Sequence, residues 1–261
     1  MSKPISPEHA QTLQKAKALL ENPGLAARFS NSIASPLEKG MALLPEGARE
    51  TILKLTSNAL ETALNTALFS LGSEQQAAWN LTHKASAALS GAAGGLFGLS
   101  ALAIELPVST TIILRSIADI ARSEGEDLSS REVRFACLEV FALGGPGIDD
   151  DAAESGYFGI RTALAGIISD AAKHAVSTGA ATEGTSVLMR LITQIAARFS
   201  IPVTEKAAAQ AIPIIGAAGG ALINTLFIDH FQNMARGHFV VRRLERVYGK
   251  DLIKLTYTSL P

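Results

Sequence analysis

The chain has 261 residues with 23 lysines and arginines against 24 aspartates and glutamates, so its formal net charge is −1. This balance excludes the strongly basic surface of a typical nucleic-acid-binding protein, and no nucleic-acid partner is expected. Charged residues make up 18% of the chain, and the mean hydropathy is +0.24. That composition is apolar for a water-soluble protein but too polar for one built of many membrane spans.

The N-terminal stretch and the cysteine content bear on the compartment. The first residues, MSKPISPEHAQTLQKAK, lack the apolar core of a secretory signal peptide. We therefore expect a cytoplasmic protein, with a peripheral position on the inner face of the plasma membrane as one option. The single cysteine, Cys137, excludes an internal disulfide, and its apolar helical surroundings predict a buried, inert thiol.

Hydrophobic periodicity is helical along almost the whole chain. Ser6, Pro7 and Glu8 supply an N-cap, a proline at the first helical position and an early acid, which predict a helix ending near Glu21. An amphipathic stripe after Pro45 predicts a long helix. Further helices are predicted from the break at 22–24 to about residue 34, and over 74–103, 107–123, 130–143, 151–177, 183–199, 203–211, 214–228 and 229–248.

One C-terminal segment departs from this pattern, since LIKLTYT fits a short strand. The fold class is nevertheless all-α, a multi-helix bundle of about ten helices.

The pentapeptide GAAGG occurs twice, at 91–95 and at 216–220. A phosphate-binding loop needs G-x-G-x-x-G after a strand or a Gly-Lys-Ser/Thr ending, and the sequence has neither. At about 100° per residue the glycines of each copy share one helical stripe, which predicts two close-packed glycine-striped helices. The stripe glycines are Gly91, Gly94, Gly95 and Gly98 in the first helix and Gly216, Gly219 and Gly220 in the second.

Two long stretches, residues 85–104 and 207–228, contain no charged side chain, and each is long enough to span a bilayer. Small residues dominate the first, while Gln210, Pro213 and Asn224 dilute the second. This composition favours buried or membrane-surface hairpins over partial insertion into lipid, and partial insertion over true spans.

A weaker pattern suggests an internal repeat. The sequence G-x-D-L follows each glycine stripe, at 125–128 and again at 249–252. Two related helical modules explain this spacing, and chance similarity in a chain rich in alanine and glycine explains it nearly as well.

Several segments together resemble the EcsC family. They are the glycine-rich helix running into LPVSTTIILRSIADIARSEGED, the acidic turn with Tyr157 and Arg161, and the ending IPIIGAAGGALINTLFIDHFQNMARGHFVVRRLERVYG. The resemblance covers about residues 40–250 of the chain. It divides the chain into an N-terminal helical segment (1–40), an EcsC-like helical domain (41–252) and a tail (253–261).

The EcsC family is bacterial, and its name comes from a gene beside an ABC transporter operon linked to secretion. The resemblance implies a membrane-side context and no established reaction.

The segment GGPGIDDDAAESGYFGIRTAL, residues 144–164, holds the best chemical candidates: Asp150, Asp151, Glu154, Tyr157 and Arg161. Acids at the start of a helix are explained by capping and by the helix dipole. The alternative is a divalent cation site, although the spacing of an EF-hand is absent. Arg161 shares a helix face with Tyr157 and is expected to pair with a buried acid.

The helix from Arg236 to Lys250 carries five basic residues on one face against one acid. Such a face suits an anionic membrane surface or an acidic partner protein, and the ordinary alternative is a solvated outer face. The residues expected to make membrane or partner contact are Arg236, Phe239, Arg243, Arg246 and Lys250.

Isolated polar residues interrupt other apolar helices: Glu105, Arg115, Asp119, Glu139 and Asp170. Buried ion pairs explain them, and a proton relay or a ligand pocket is the alternative. No metal site is expected, because His230 and His238 lie too far apart on one helix and H-E-x-x-H is absent. No cofactor motif and no G-x-S-x-G occur either.

These patterns favour a non-catalytic, membrane-associated or lipid-interacting accessory protein of a bacterial cell, tied to transport or secretion. The expected partner is an anionic membrane surface or a membrane protein. One alternative is a hydrolase-like enzyme that uses a buried carboxylate and arginine site. Another is a soluble adaptor that binds a transporter.

Overall fold

The computed structural model of the protein describes residues 4–21, 25–33, 37–70, 98–143, 156–174, 181–212 and 216–260. Over these ranges the chain forms ten helices and no strand, so the prediction of an all-α bundle is confirmed. The helices are α1 (Pro7–Leu20), α2 (Leu25–Ile33), α3 (Leu37–Leu43), α4 (Ala48–Ser70), α5 (Gly98–Ser123), α6 (Arg131–Leu143), α7 (Tyr157–His174), α8 (Ala181–Ala211), α9 (Gly216–Tyr248) and α10 (Lys250–Ser259).

Local signals start the first helix as predicted. The Ser6 side chain accepts a hydrogen bond from the His9 backbone N–H at 3.2 Å, and Pro7 occupies the first helical position. The strand hypothesis for the tail is wrong, because α10 covers that segment. Gly249 adopts a φ of +91°, so it ends α9 and allows a new helix to start at Lys250.

Three of the predicted breaks between helices are also wrong. The predicted gaps at 104–106 and 200–202 lie inside α5 and α8, and the predicted boundary between residues 228 and 229 lies inside α9. Pro107 lies inside α5 and Pro202 inside α8. A proline removes one helical hydrogen bond and crowds the preceding turn, but the rest of the helix can still be held by packing. Leu106 and Val203, the neighbours of these prolines, are fully buried.

The two longest helices, α8 and α9, form the centre of the bundle. Helix α8 packs against α2, α3, α4, α6 and α7, while α9 packs against α1, α2, α5, α6 and α10. Where α6, α8 and α9 meet, four buried phenylalanines have ring centroids 4.7–6.2 Å apart: Phe141, Phe199, Phe227 and Phe231. This aromatic group is the middle of the hydrophobic core.

Helices α5 and α9 run parallel, because their contacts follow chain order. Gln232 of α9 donates a hydrogen bond to Ser116 of α5 at 2.8 Å. Further along both helices, Arg242 donates to Glu126, just after α5, at 2.8 Å. The starts of α5 and α9 therefore lie at one end of the bundle.

The ends of α5 and α9 are alike in one respect. Each G-x-D-L motif opens with a glycine at positive φ just after the helix, +79° at Gly125 and +91° at Gly249. The two motifs share this local role, and an internal repeat of whole modules stays a prediction.

The close backbone contacts of the described chain involve glycines outside the predicted stripes. A Cβ at Gly40 in α3 would overlap the backbone carbonyl of Ala208 in α8. A Cβ at Gly237 in α9 would lie 2.6 Å from Cγ of Leu20 and 3.0 Å from the carbonyl oxygen of Ala16 in α1. These two glycines let α3 and α1 approach the central helices.

The stripe glycines give a different result. Among the described residues, no atom lies within 4 Å of a Cβ built at Gly220, so close packing is not seen there. Gly91, Gly94 and Gly95 lie outside the described residues. Gly98 and Gly216 are the first residues of α5 and α9, and Gly219 lies in the first turn of α9. A packing role for these glycines stays a prediction.

We expect Gly40→Ala to lower the free energy of unfolding by about 1–3 kcal/mol, because the new methyl group is forced against backbone that cannot rotate away. Gly166→Ala in α7 is the matched control. A Cβ there meets no described atom within 4 Å, and alanine should raise helix stability by about 0.5–1 kcal/mol. Urea denaturation measures both variants, and equal behaviour of the two would contradict the close contact at Gly40.

Candidate functional site

The C-terminal half of α9 carries a face of buried charged and polar side chains. His238, Arg242 and Glu245 follow a spacing of four and three residues, which places them on one side of the helix. Partners reach them from α6, from α7 and from the turn between α5 and α6. We call this group the polar cluster; it comprises Glu126, Glu139, Tyr157, Arg161, His238, Arg242, Glu245 and Arg246.

An ion pair between α7 and α9 lies at one side of the polar cluster. Arg161 donates two hydrogen bonds to the carboxylate of Glu245, at 2.7 Å to Oε1 and 2.9 Å to Oε2. Two parallel bonds of this kind fix orientation as well as charge. The guanidinium also lies 5.3 Å from the ring centroid of Tyr157, one turn earlier in α7. The prediction that Arg161 pairs with a buried acid is confirmed.

A histidine lies between a phenol and a carboxyl in the same cluster. The Tyr157 hydroxyl oxygen is 3.0 Å from Nδ1 of His238, and Oε2 of Glu139 is 3.8 Å from Nε2. Among the described residues, Nε2 of His238 has no hydrogen-bond partner within normal distance. All three side chains are buried.

Burial shifts the pKa values of these groups in opposite directions. It raises the pKa of Glu139 to about 7, and the charges of Arg161 and Arg242 only partly offset this effect. Burial and the same two arginines hold the pKa of His238 well below its ordinary value of 6.5. The imidazole is therefore neutral at neutral pH. Burial also raises the pKa of the Tyr157 hydroxyl, which stays protonated.

The basic face of α9 is paired with acids from the turn after α5. Glu126 accepts a hydrogen bond from Nε of Arg242 at 2.8 Å and also binds Arg246. Arg243 lies 2.7 Å from Glu124. Burial opposes ionisation of Glu126, but the hydrogen bonds and charges of its two arginines outweigh burial and lower its pKa.

These pairs change the interpretation of the basic helix. Arg243 and Arg246, expected to contact a membrane or a partner, bind acids of the same chain. Phe239 is fully buried and points into the core, so its proposed place on the contact surface is wrong. Arg236 and Lys250 are exposed, and the Arg236 guanidinium donates to the side chains of neighbouring α9 residues.

A second buried ion pair lies at the other end of the bundle. Lys206 of α8 donates to both carboxylate oxygens of Glu105 in α5, at 2.7 and 2.8 Å. The Lys206 side chain is 1% exposed, and its ammonium lies 4.7 Å from the ring centroid of Phe227 in α9. A buried pair at Glu105 is confirmed. Its partner was missed, because nothing in the local sequence distinguishes Lys206 from a surface lysine.

The other polar residues noted in apolar helices behave differently. Asp119 and Asp170 are exposed, so they are not buried as expected. Asp119 lies 3.5 Å from Arg122 at the surface. Cys137 is buried as predicted, and burial raises the pKa of its thiol to about 12.

The acidic candidates Asp150, Asp151 and Glu154 lie outside the described residues. Of the predicted catalytic set, Tyr157 and Arg161 are brought together in the polar cluster. Sequence reasoning missed Glu126, His238 and Glu245 as their neighbours. The sequence does contain a signal for two of them. His238 and Glu245 are spaced so that they share one face of an apolar helix with Arg242, which indicates a polar face turned towards other helices.

The EcsC protein family matches residues 8–244, which is most of the chain. The chain belongs to the EcsC family. In this EcsC protein the match begins within α1, well before residue 40, and it ends inside the polar cluster. Comparisons with curated proteins and with solved structures give no match.

Two further findings concern the EcsC chain as far as it is described. Its helices over those residues include none that is long and apolar enough to cross a membrane. The same residues hold no group of three or more histidines, cysteines, aspartates or glutamates placed to bind a metal ion.

We expect Arg161→Met to lower the free energy of unfolding by about 3–5 kcal/mol, because Glu245 is left as an unpaired buried charge. The double variant Arg161→Met, Glu245→Leu should recover most of this loss, since it removes both charges. Arg122→Met breaks the exposed pair with Asp119 and should cost less than about 1 kcal/mol. Urea denaturation of the four proteins gives the comparison. An Arg161→Met variant as stable as wild type would contradict the pairing.

Glu139 predicts a pH dependence of stability with a definite sign. Its folded pKa of about 7 lies above its ordinary value of 4.5, so its contribution is complete below pH 4.5 and is lost as pH rises through 7. Glu139→Gln cannot ionise. From about pH 5 to pH 8, the variant should therefore gain stability relative to wild type by roughly 1–3 kcal/mol.

Denaturant midpoints measured across that pH range test this expectation. Glu132→Gln, an exposed change on the same helix, controls for the loss of one formal charge. A constant difference between Glu139→Gln and wild type would show that Glu139 has the same protonation in the folded and unfolded states across this range, which would contradict the raised pKa.

Proposed function

We propose that this EcsC protein is a non-catalytic accessory protein that associates reversibly with a membrane surface on the cytoplasmic side. The contact is made by the end of the bundle at which α5 and α9 begin. A place beside a membrane transporter or secretion component fits the origin of the family name. The observation that carries the proposal is the meeting of two charge-free stretches at this one end.

The charge-free stretches come together because α5 and α9 run parallel. Residues 98–104 open α5, and residues 216–222 open α9. Residues 207–212, at the end of α8, lead towards the same end, since Lys206 contacts both other helices there. We call these three segments the apolar end; they contain no aspartate, glutamate, lysine, arginine or histidine.

The Glu105–Lys206 pair forms the border of the apolar end. Glu105 is the first charged residue after the stretch 85–104, and Lys206 is the last one before the stretch 207–228. Both side chains are buried and satisfy each other. The charged residues that border the apolar end on α5 and α8 are therefore buried as a pair. Contact of the apolar end with an apolar phase then carries no further cost of desolvating these two charges.

In this proposal, exposed apolar side chains supply the attraction between the apolar end and the membrane. Ile104 is 68% exposed and Leu222 is 42% exposed. Burying a fully exposed side chain of this size in an apolar phase contributes about 1.5–3 kcal/mol, and these two contribute less because part of each is already buried. Two of them, with the small residues around them, give weak binding that can be reversed.

The polar cluster supports a non-catalytic role. Arg161 donates two hydrogen bonds to Glu245, and the Tyr157 hydroxyl lies against His238. Groups that bind one another inside the core are not presented to a substrate. They act instead by holding α6, α7 and α9 together.

We expect the double variant Ile104→Asp, Leu222→Asp to lose flotation with liposomes, because each change places a charge where an apolar side chain would enter lipid. Both positions are solvent-exposed, so the fold should persist, and circular dichroism checks this. Leu255→Asp in α10 is the matched control, since Leu255 is 68% exposed and lies outside the apolar end. It should float like wild type.

Two outcomes would count against the proposal. Equal flotation of all three proteins would show that the apolar end is not the contact. A wild type that ignores protein-free liposomes but co-purifies with native membranes would favour the adaptor alternative.

A further inference from the structure

We infer that the membrane is recognised through its uncharged acyl region and not through anionic headgroups, so that binding is insensitive to surface charge. This inference rests on the proposed function and names its lipid partner. It departs from the anionic surface that the basic sequence of α9 suggests.

The first support is the state of the arginines. Arg242 and Arg246 bind Glu126, and Arg243 binds Glu124. An arginine already held by a carboxylate gains little from a lipid phosphate, because the new contact must replace an existing one. Binding to anionic headgroups would also leave Glu126, whose carboxylate is buried, without its partners.

The second support is the distance between the arginines and the apolar end. Leu222 and Arg242 both lie on α9, twenty residues apart, which corresponds to about 30 Å along the helix. Contact through the end of the bundle holds the arginines at that distance from the surface. Salt screens charges over about 8 Å at physiological ionic strength, so the arginines sense little of the surface potential.

The third support is the depth that the apolar end allows. The described part of α5 ahead of Glu105, residues 98–104, rises about 10 Å and carries no charged side chain. Half of the hydrocarbon thickness of a bilayer is about 15 Å. These described segments of the apolar end are therefore shorter than one leaflet, and the Glu105–Lys206 pair lies at their border. Contact of this depth depends on the packing of the acyl chains.

The experiment compares flotation on vesicles of unsaturated phosphatidylcholine with flotation on vesicles that also contain phosphatidylserine, each at low and at high salt. We expect the fraction bound to differ by less than about threefold among the four conditions, since screened charges contribute little. Vesicles of saturated, tightly packed phosphatidylcholine should bind less wild-type protein, because their acyl region is less accessible.

A charge-reversal variant gives the matched control. Arg236→Glu, Lys250→Glu changes two exposed basic residues at the expected contact face, the two that form none of the ion pairs described above. It should float as well as wild type on both fluid vesicle types, whereas Ile104→Asp, Leu222→Asp should not.

The possible results separate the inference from the function on which it rests. Binding confined to phosphatidylserine vesicles, lost at high salt and abolished by Arg236→Glu, Lys250→Glu, would overturn the inference while leaving membrane association in place. A wild type that binds no vesicle of any composition would overturn both.

Discussion

Charged groups in a protein core must be paired, because unpaired burial costs several kcal/mol (about 3–5 when one partner is removed). This constraint governs α9. The helix passes through the middle of the bundle and carries the buried His238 and Glu245 and the half-buried Arg242 on one face. Arg242 is paired with Glu126 in the turn after α5, Glu245 is paired with Arg161 on α7, and the neutral His238 lies 3.0 Å from the Tyr157 hydroxyl, also on α7. The turn after α5 and the first turns of α7 must therefore lie against this face of α9, because they carry the partners of its polar side chains.

The same helix serves two roles because its two halves differ in composition. Its first half is charge-free up to Ile228 and begins at the exposed apolar end. Its second half holds the polar cluster and ends at Gly249. Pairing at one end fixes the helix within the bundle, while the absence of charge at the other end leaves a surface suited to an apolar phase. The buried Glu105–Lys206 pair lies beside Phe227, where the charge-free half of α9 ends.

The sequence predicted what depends on local spacing. Helical periodicity and the Ser6–Pro7 start were sufficient for the fold class, and the interval between Tyr157 and Arg161 placed both on one face. It failed where the answer depends on a distant segment. A helical wheel shows Arg243 and Arg246 beside one another but cannot show Glu124 and Glu126, which the parallel packing of α5 brings to them.

Glycine packing failed for the same reason. The repeated GAAGG attracts attention as a pattern, yet the described close approaches are at Gly40 and Gly237, which belong to no motif. Whether a glycine is needed depends on what lies opposite, here the backbone of Ala208 and the side chain of Leu20. Sequence periodicity reports which face a residue occupies, and only tertiary packing decides what that face meets.

The pKa shifts of Glu139 and His238, which are opposite in direction, both reduce the charge within the core. Burial drives both groups towards their neutral forms, so the histidine adds no positive charge beside Arg161 and Arg242. Those arginines are then balanced by Glu245 and Glu126. The charged side chains of this core are therefore already paired with one another and are not available to bind a partner. In the proposed membrane contact, the attraction would come from exposed apolar side chains, and Ile104 and Leu222 lie near the described starts of α5 and α9.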